Sequence, residues 1–286
     1  MSGTTKGIAI MVAGLLVFAV LNGVVKDQAQ RFPVTEIIFF RNLFGFLPLL
    51  IAVPFNGGWG VLKPSNIAGH LVQAVAMSIT LVCAYIAFAM IPLAEATAIM
   101  FLQPVILVVL AHIFLGERAS LSAWIAVVLG FAGVLLIARP ADLGFGAGTL
   151  AALAGAFFAA VAIVQVRGLA ATNTALTITI WYMVLSTLIF LPTTAFFWTT
   201  PSPSDLLALI LMGIASGCGQ YLIILPFRYA DAATLGPVQY FSIVGGVLVG
   251  YFWFAEIPTW TTIVGAVIVM SAMALVLPRP RSVRAA

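Results

Sequence analysis

The side chains able to hold a small molecule lie almost entirely inside apolar runs, and few of them are charged. Gln103-Pro104 sits near the middle of one run, Gln220-Tyr221 closes GIASGCGQY (Gly213–Tyr221) in another, and Gln239, Tyr240 and Ser242 share a third. A glutamine at membrane depth needs a hydrogen-bond partner, while a proline there frees the carbonyl one turn earlier and kinks the helix. Gln103 therefore reads as a group holding an amino or carboxylate function, or as an interhelical polar contact. Tyr85 and Tyr221 would stack a flat or apolar side chain, or else serve as core aromatics. Gln239 and Tyr240 follow Gly236-Pro237. Pro237 is at home in a first helical turn, and an exposed helix N-terminus at that point would favour a carboxylate. Gly213 and Gly217 have the small-xxx-small spacing that lets helices approach closely. Trp181 and Tyr182 face either a cavity or lipid.

Arg41 stands about 10 Å into its apolar run at 1.5 Å per residue. An arginine there costs roughly 2.5–3.5 kcal/mol on insertion scales and needs a partner or water. Glu36, five residues away and about 140° round a helix, is a poor direct partner. Arg41 thus reads as a gating or structural charge. His70 and His112 are expected at the interface, and Glu95, Glu117 and Glu256 at span boundaries where solvation is cheap. No carboxylate falls at the middle of any run, which disfavours a buried proton shuttle. HExxH, GxSxG and P-loop patterns are missing, so no catalytic residue, metal ligand set or cofactor is expected, and the chain is not read as an enzyme. Cys83 and Cys218 read as free thiols.

The elements that must position these groups follow from composition. Of 286 residues, 63% are hydrophobic and only 7% charged, too few charges to cover a water-soluble surface. The formal net charge of +4 comes from scattered residues and a basic tail, which excludes nucleic acid as a partner and suits topology control. A span needs about 20 mostly apolar residues. Ten are read, at 7–25, 34–53, 67–90, 95–115, 121–138, 148–166, 176–198, 205–228, 234–254 and 260–277. The first is taken as a span and not a cleaved signal peptide. With the N-terminus inside, Lys6, Lys63, Arg118, Arg167, Arg228, Arg279, Arg281 and Arg284 are cytoplasmic, against Lys26, Arg31 and Arg139 outside. That excess places both termini in the cytoplasm. Trp59, Trp124, Trp198, Trp253 and Trp260 fall near span ends, as an interfacial belt requires.

The chain repeats internally. CAYIAFAMIPLAE (Cys83–Glu95) aligns with GQYLIILPFRYAD (Gly219–Asp231), placing Tyr85 over Tyr221. FLGERASLSAWIAVVLGFAGVLLIARP (Phe114–Pro140) aligns with Trp253–Pro280, placing Glu117 over Glu256. Gln103 has Ser242 as its mate. Residues 1–140 and 141–286 are thus two five-span units. Because five is odd, the second runs from the opposite side of the membrane. Inverted repeats put a binding site near the midplane between them and permit alternating access, the architecture of a carrier.

Phe227–Glu256 and the FLGE…G…G pattern at 114–133 resemble the EamA-type branch of the drug/metabolite transporter superfamily, over essentially the whole chain. The resemblance implies an all-α polytopic membrane protein with ten transmembrane helices around a central cavity. Spans 1, 3, 4, 6, 8 and 9 would line the cavity, with spans 5 and 10 behind. Pro104 meets Ile243 in the alignment, and Gly130 and Gly133 meet Val269 and Ala272, so the second backing helix is expected to pack less closely. Among family members are amino-acid exporters, including aromatic ones. The leading expectation is export of aromatic and other neutral amino acids across a bacterial inner membrane, by facilitated or exchange transport. The alternatives are uptake of a nucleoside-like or vitamin metabolite such as S-adenosylmethionine, and a non-transporting membrane subunit. Small molecules and membrane lipid are the expected partners; the oligomeric state is open, a monomer included.

Overall fold

The computed structural model describes residues 3–103, 105–107, 109–110, 121–138, 146–229 and 237–276. Its helices are α1 (Gly3–Gln28), α2 (Val34–Ala52), α3 (Ile67–Met90), α4 (Leu93–Met100), α5 (Leu121–Ala138), α6 (Ala147–Ala170), α7 (Ala175–Phe196), α8 (Pro203–Ile224), α9 (Phe241–Phe254) and α10 (Trp260–Val276). No strand occurs among the described residues. Six helices (α1, α2, α3, α6, α7 and α8) are long and apolar enough to cross a membrane, and four shorter apolar helices accompany them. Each of the ten expected spans overlaps one of these helices. Several ends differ from the sequence reading: α4 stops at Met100, where a turn follows, and two further ends bear on the site. α8 stops at Ile224 and continues as a 3-10 turn, Leu225–Arg228, where Pro226 removes a backbone donor. α9 begins only after the 3-10 turn Pro237–Tyr240.

Polar contacts collect at two faces. At the face carrying the end of α1, Arg31 bonds Asp205 at 3.1 Å, Thr199 N–H donates to Glu36, and Thr262 donates to Glu95. At the other face, the α2–α3 connection folds onto α7: Thr177 Oγ1 donates to Val61 O, Trp181 Nε1 to Leu62 O, and Ser65 meets Thr172 and Asn173. Chain direction therefore alternates from helix to helix. Trp59, Trp124, Trp198, Trp253 and Trp260 are all exposed, as a lipid-interface position requires.

Helix neighbours occur in matched pairs. α1 packs on α8 and α9, and α6 on α3 and α4; α2 packs on α8 and α7 on α3; α2 meets α7, and α5 meets α10. Glycine makes the α2–α8 crossing possible. A Cβ on Gly217 would stand 1.9 Å from Gly45 O, and one on Gly213 2.8 Å from Phe40 O. The α5–α10 contact is equally close, with a Cβ on Gly133 falling 2.9 Å from Gly265 O. Val269 and Ala272 are fully buried there. The second backing helix therefore does not pack loosely, because Gly265 supplies the close approach that the aligned positions lack.

Two sequence expectations about titratable groups are corrected. His70 is fully buried, not interfacial; its ring lies 6.2 Å from Trp181, whose donation to Leu62 O closes the α2–α3 connection over this end of α3. Glu256 is not a solvated boundary residue. It pairs with Lys26, and the two side chains are only 19% and 12% exposed. His112 and Glu117 lie outside the described residues.

Candidate transport cavity

α3 and α4 meet α1, α2 and α9 around a cavity of about 330 Å³. α3 contributes Thr80 and Tyr85, α4 and its continuation Thr97 and Gln103, α1 Asn22, α2 Arg41, and the start of α9 Gln239 and Ser242. Phe18, Phe88 and Phe101 supply the apolar part of the wall. Its hydroxyls are partly spent on their own helices: Thr80 donates to Ala76 O, Thr97 to Leu93 O and Ser242 to Gln239 O. Each bond spends the hydroxyl's donor and leaves oxygen lone pairs. The amides of Asn22, Gln103 and Gln239 supply donors and acceptors together.

A second cavity of about 310 Å³ lies toward the opposite face, among α3, α6, α7 and α8. Gln73, Tyr182, Gln220 and Thr179 line it, with Met77, Ile163 and Ile178. Arg41 and Leu81 border both cavities. Arg41 is 8% exposed, and its Nη1 donates to the Tyr182 hydroxyl at 3.4 Å. Beside it, Asn42 Nδ2 donates to Ser186 Oγ at 2.8 Å and Ser186 meets Ser78 Oγ at 2.9 Å, tying α2, α7 and α3 together at depth.

The sequence candidates are thus divided. Tyr85, Gln103, Gln239, Ser242 and Arg41 come together at the first cavity, and Gln220 joins Arg41 at the second. Tyr221 lines neither of these two; it packs against the apolar cluster of Leu49, Tyr182 and Met183. Pro237 opens the turn before α9. Pro104 and the Tyr240 side chain lie outside the described residues. Tyr182, read from sequence as facing either a cavity or lipid, lines the second cavity, whereas Asn22, Thr97 and Gln73 were not singled out from sequence as site residues. Asn22, an amide inside an otherwise apolar first span, was the signal available for one of them.

A compact charge cluster lies at the α1-end face, one helical turn beyond Asn22 of the first cavity. Lys26 Nζ pairs with Glu256 and donates to Ile91 O at 2.9 Å, while Glu256 Oε2 accepts Leu93 N–H at 3.0 Å. Pro92, at the N-cap of α4, has no side-chain bond of its own, so Glu256 supplies that cap. Ala255 turns Glu256 into place with a left-handed φ of +53°.

Residues 5–139 and 146–277 each match the EamA-like transporter family. The chain is 28% identical over 269 residues to the pseudopaline exporter CntI of Pseudomonas aeruginosa, covering 93% of this chain and 94% of that one. It is 25% identical to an S-adenosylmethionine uptake transporter of Rickettsia bellii, over 88% of this chain and 86% of the relative. With a riboflavin transporter of Rhizobium johnstonii the identity is 27%, covering 96% and 92%. A solved crystal structure at 18% identity shares the fold, with a TM-score of 0.67 over 95% of this chain and 96% of that one. Matching twice and along nearly its full length, the chain belongs to the EamA-like transporter family, a multi-pass membrane transporter and not an enzyme.

Proposed function

We propose that this transporter exports aromatic and other neutral amino acids across a bacterial inner membrane by alternating access, as a facilitated or exchange carrier. The cavity of about 330 Å³ carries the reading: amides at Asn22, Gln103 and Gln239 face aromatic walls at Phe18, Tyr85, Phe88 and Phe101. Neutral hydrogen-bonding groups beside aromatic surface suit a zwitterion with an apolar side chain, and the volume is at the small end for ligand sites. The units 1–140 and 141–286 are the two inverted halves that rock about this site. The reciprocal helix pairing and the two family matches support that division. Both termini are cytoplasmic in this reading. The described carboxylates, Asp27, Glu36, Glu95, Asp205 and Glu256, all belong to the α1-end face, so coupling does not run through a midplane acid among them.

The S-adenosylmethionine uptake transporter and the riboflavin transporter among the relatives favour a second reading, uptake of a nucleoside-like or vitamin metabolite. One assay separates the two. Purified protein in liposomes is expected to carry labelled phenylalanine and leucine above protein-free vesicles, with little inhibition by excess S-adenosylmethionine or riboflavin. No amino-acid flux would refute the first reading. Flux of either metabolite without amino-acid flux would establish the second.

A further inference from the structure

Among the described residues, Arg41 is the only charged side chain lining either cavity. It is 8% exposed, and of its five N–H donors one is spent on the Tyr182 hydroxyl. The described carboxylates are engaged elsewhere: Glu36 with Thr199 N–H, Glu95 with Thr262, Glu256 with Lys26, Asp27 and Asp205 with Arg31. A guanidinium at this depth, in walls otherwise neutral, is satisfied by water or by an anion, and an anion offsets its charge as well as its donors. Gln73 adds an independent observation. Its side chain is 4% exposed, lines the second cavity, and has an amide oxygen with no partner among the described residues.

We propose that Arg41 is the carboxylate subsite of the carrier, shared by both cavities, and that Gln73 accepts from the substrate's ammonium group in the second one. The counter-charge that the described residues do not supply then arrives with the cargo. A guanidinium reachable from either side holds the carboxylate while the apolar body is handed from the aromatic wall of Phe18, Phe88 and Phe101 to the aliphatic wall of Met77, Ile163 and Ile178. The planar fork of Arg41 matches a carboxylate in two-point contact, with the Tyr182 hydroxyl beside it. This assignment rests on the transport reading of the cavity. It limits the cargo to molecules that carry a carboxylate, and rejects amines and amides of the same size.

Matched acid–amide pairs test it: phenylalanine against phenylalaninamide, and 3-phenylpropionate against its amide. Each is titrated against the purified full-length protein, with thermal stabilisation read at each concentration. On the unaltered protein the acids are expected to half-saturate at concentrations roughly ten- to hundredfold below the amides, the factor for a hydrogen-bonded charge. Arg41→Gln should equalise the pairs, Arg41→Lys should keep part of the preference, and Gln73→Leu should weaken phenylalanine but not 3-phenylpropionate. Equal half-saturation of acid and amide on the unaltered protein overturns the proposal, as does absence of stabilisation by either acid; neither result depends on a variant folding. Acid preference lost in Arg41→Gln, with no amino-acid flux in liposomes, would retain the subsite and remove amino-acid export. Equal flux of phenylalanine and phenylalaninamide would do the reverse.

Discussion

Replacing Glu256 by Gln tests whether the charge cluster at the α1 end holds the first cavity shut. The carboxylate makes two contacts, with Lys26 and with Leu93 N–H, and the lysine also donates to Ile91 O. These join the ends of α1 and α3, the start of α4, and the segment after α9. The helix dipoles favour this arrangement, since Lys26 is in the last turn of α1 and Glu256 meets the first N–H of α4. A surface ion pair contributes only about 0–1 kcal/mol. With side chains 12% and 19% exposed, this one is closer to a charge-assisted bond inside protein, about 1.5–3 kcal/mol. Glutamine keeps the shape and can still accept one of the two bonds, so the loss is essentially the ion pair. If that contact exists only when this face is closed, the closed population falls roughly ten- to hundredfold relative to the open one.

The assay is the labelling rate of a single cysteine at Thr97, a cavity-lining position on α4, with Cys83 and Cys218 replaced by Ser and an impermeant maleimide applied to the α1-end face. Glu256→Gln should raise that rate by a factor of ten or more. Lys26→Met should do the same, and the double variant should exceed either single variant only slightly, because both remove one interaction. Unchanged labelling in both single variants, or additive effects in the double variant, would refute the reasoning.

Three further outcomes are expected. Gly217→Ala should destabilise the protein by more than the usual roughly 1–3 kcal/mol for overpacking, read as a lowered thermal midpoint, because the new Cβ would stand 1.9 Å from Gly45 O and only separation of α2 from α8 relieves it. Ser186→Ala should destabilise the protein by about 1–3 kcal/mol in a denaturant titration, since it leaves Asn42 and Ser78 without their shared partner and such membrane hydrogen bonds contribute about 0.6–1.7 kcal/mol each. Gln103→Ala should reduce amino-acid flux in liposomes at unchanged expression and thermal midpoint; an unchanged rate would remove Gln103 from the site.

Hydropathy made the helices legible because a bilayer imposes length and apolarity on every span, whatever its neighbours. It did not reveal which face of a helix looks inward. His70 was therefore misplaced, and Gln73, three residues further on and equally buried, went unnoticed. The repeat alignment matched Tyr221 to Tyr85, yet only Tyr85 reaches the first cavity, since equivalent positions in two copies need not meet the same void. Lys26 and Glu256 were both read correctly as residues near span ends. Their pairing spans 230 residues of sequence and follows from helix packing alone. Arg41 was legible because an arginine in an apolar run is conspicuous at any orientation.

The distribution of tight and loose contacts bears on how such a carrier moves. Where backbones touch, as Gly217 does against Gly45, two helices can pivot but cannot separate without losing dense packing on both sides. The Asn42–Ser186–Ser78 bonds fasten α2, α7 and α3 at the same depth, next to Arg41 and Tyr182. In the alternating-access mechanism proposed above, these contacts would set the fulcrum near Arg41. Displacement then grows with distance from it and is largest at the ends of α4 and α9. Charged groups make contacts there that can be exchanged for water, whereas apolar interlocking near the pivot cannot. In that mechanism the guanidinium would occupy the part of the bundle that moves least, which is where a group bordering both cavities can serve each in turn.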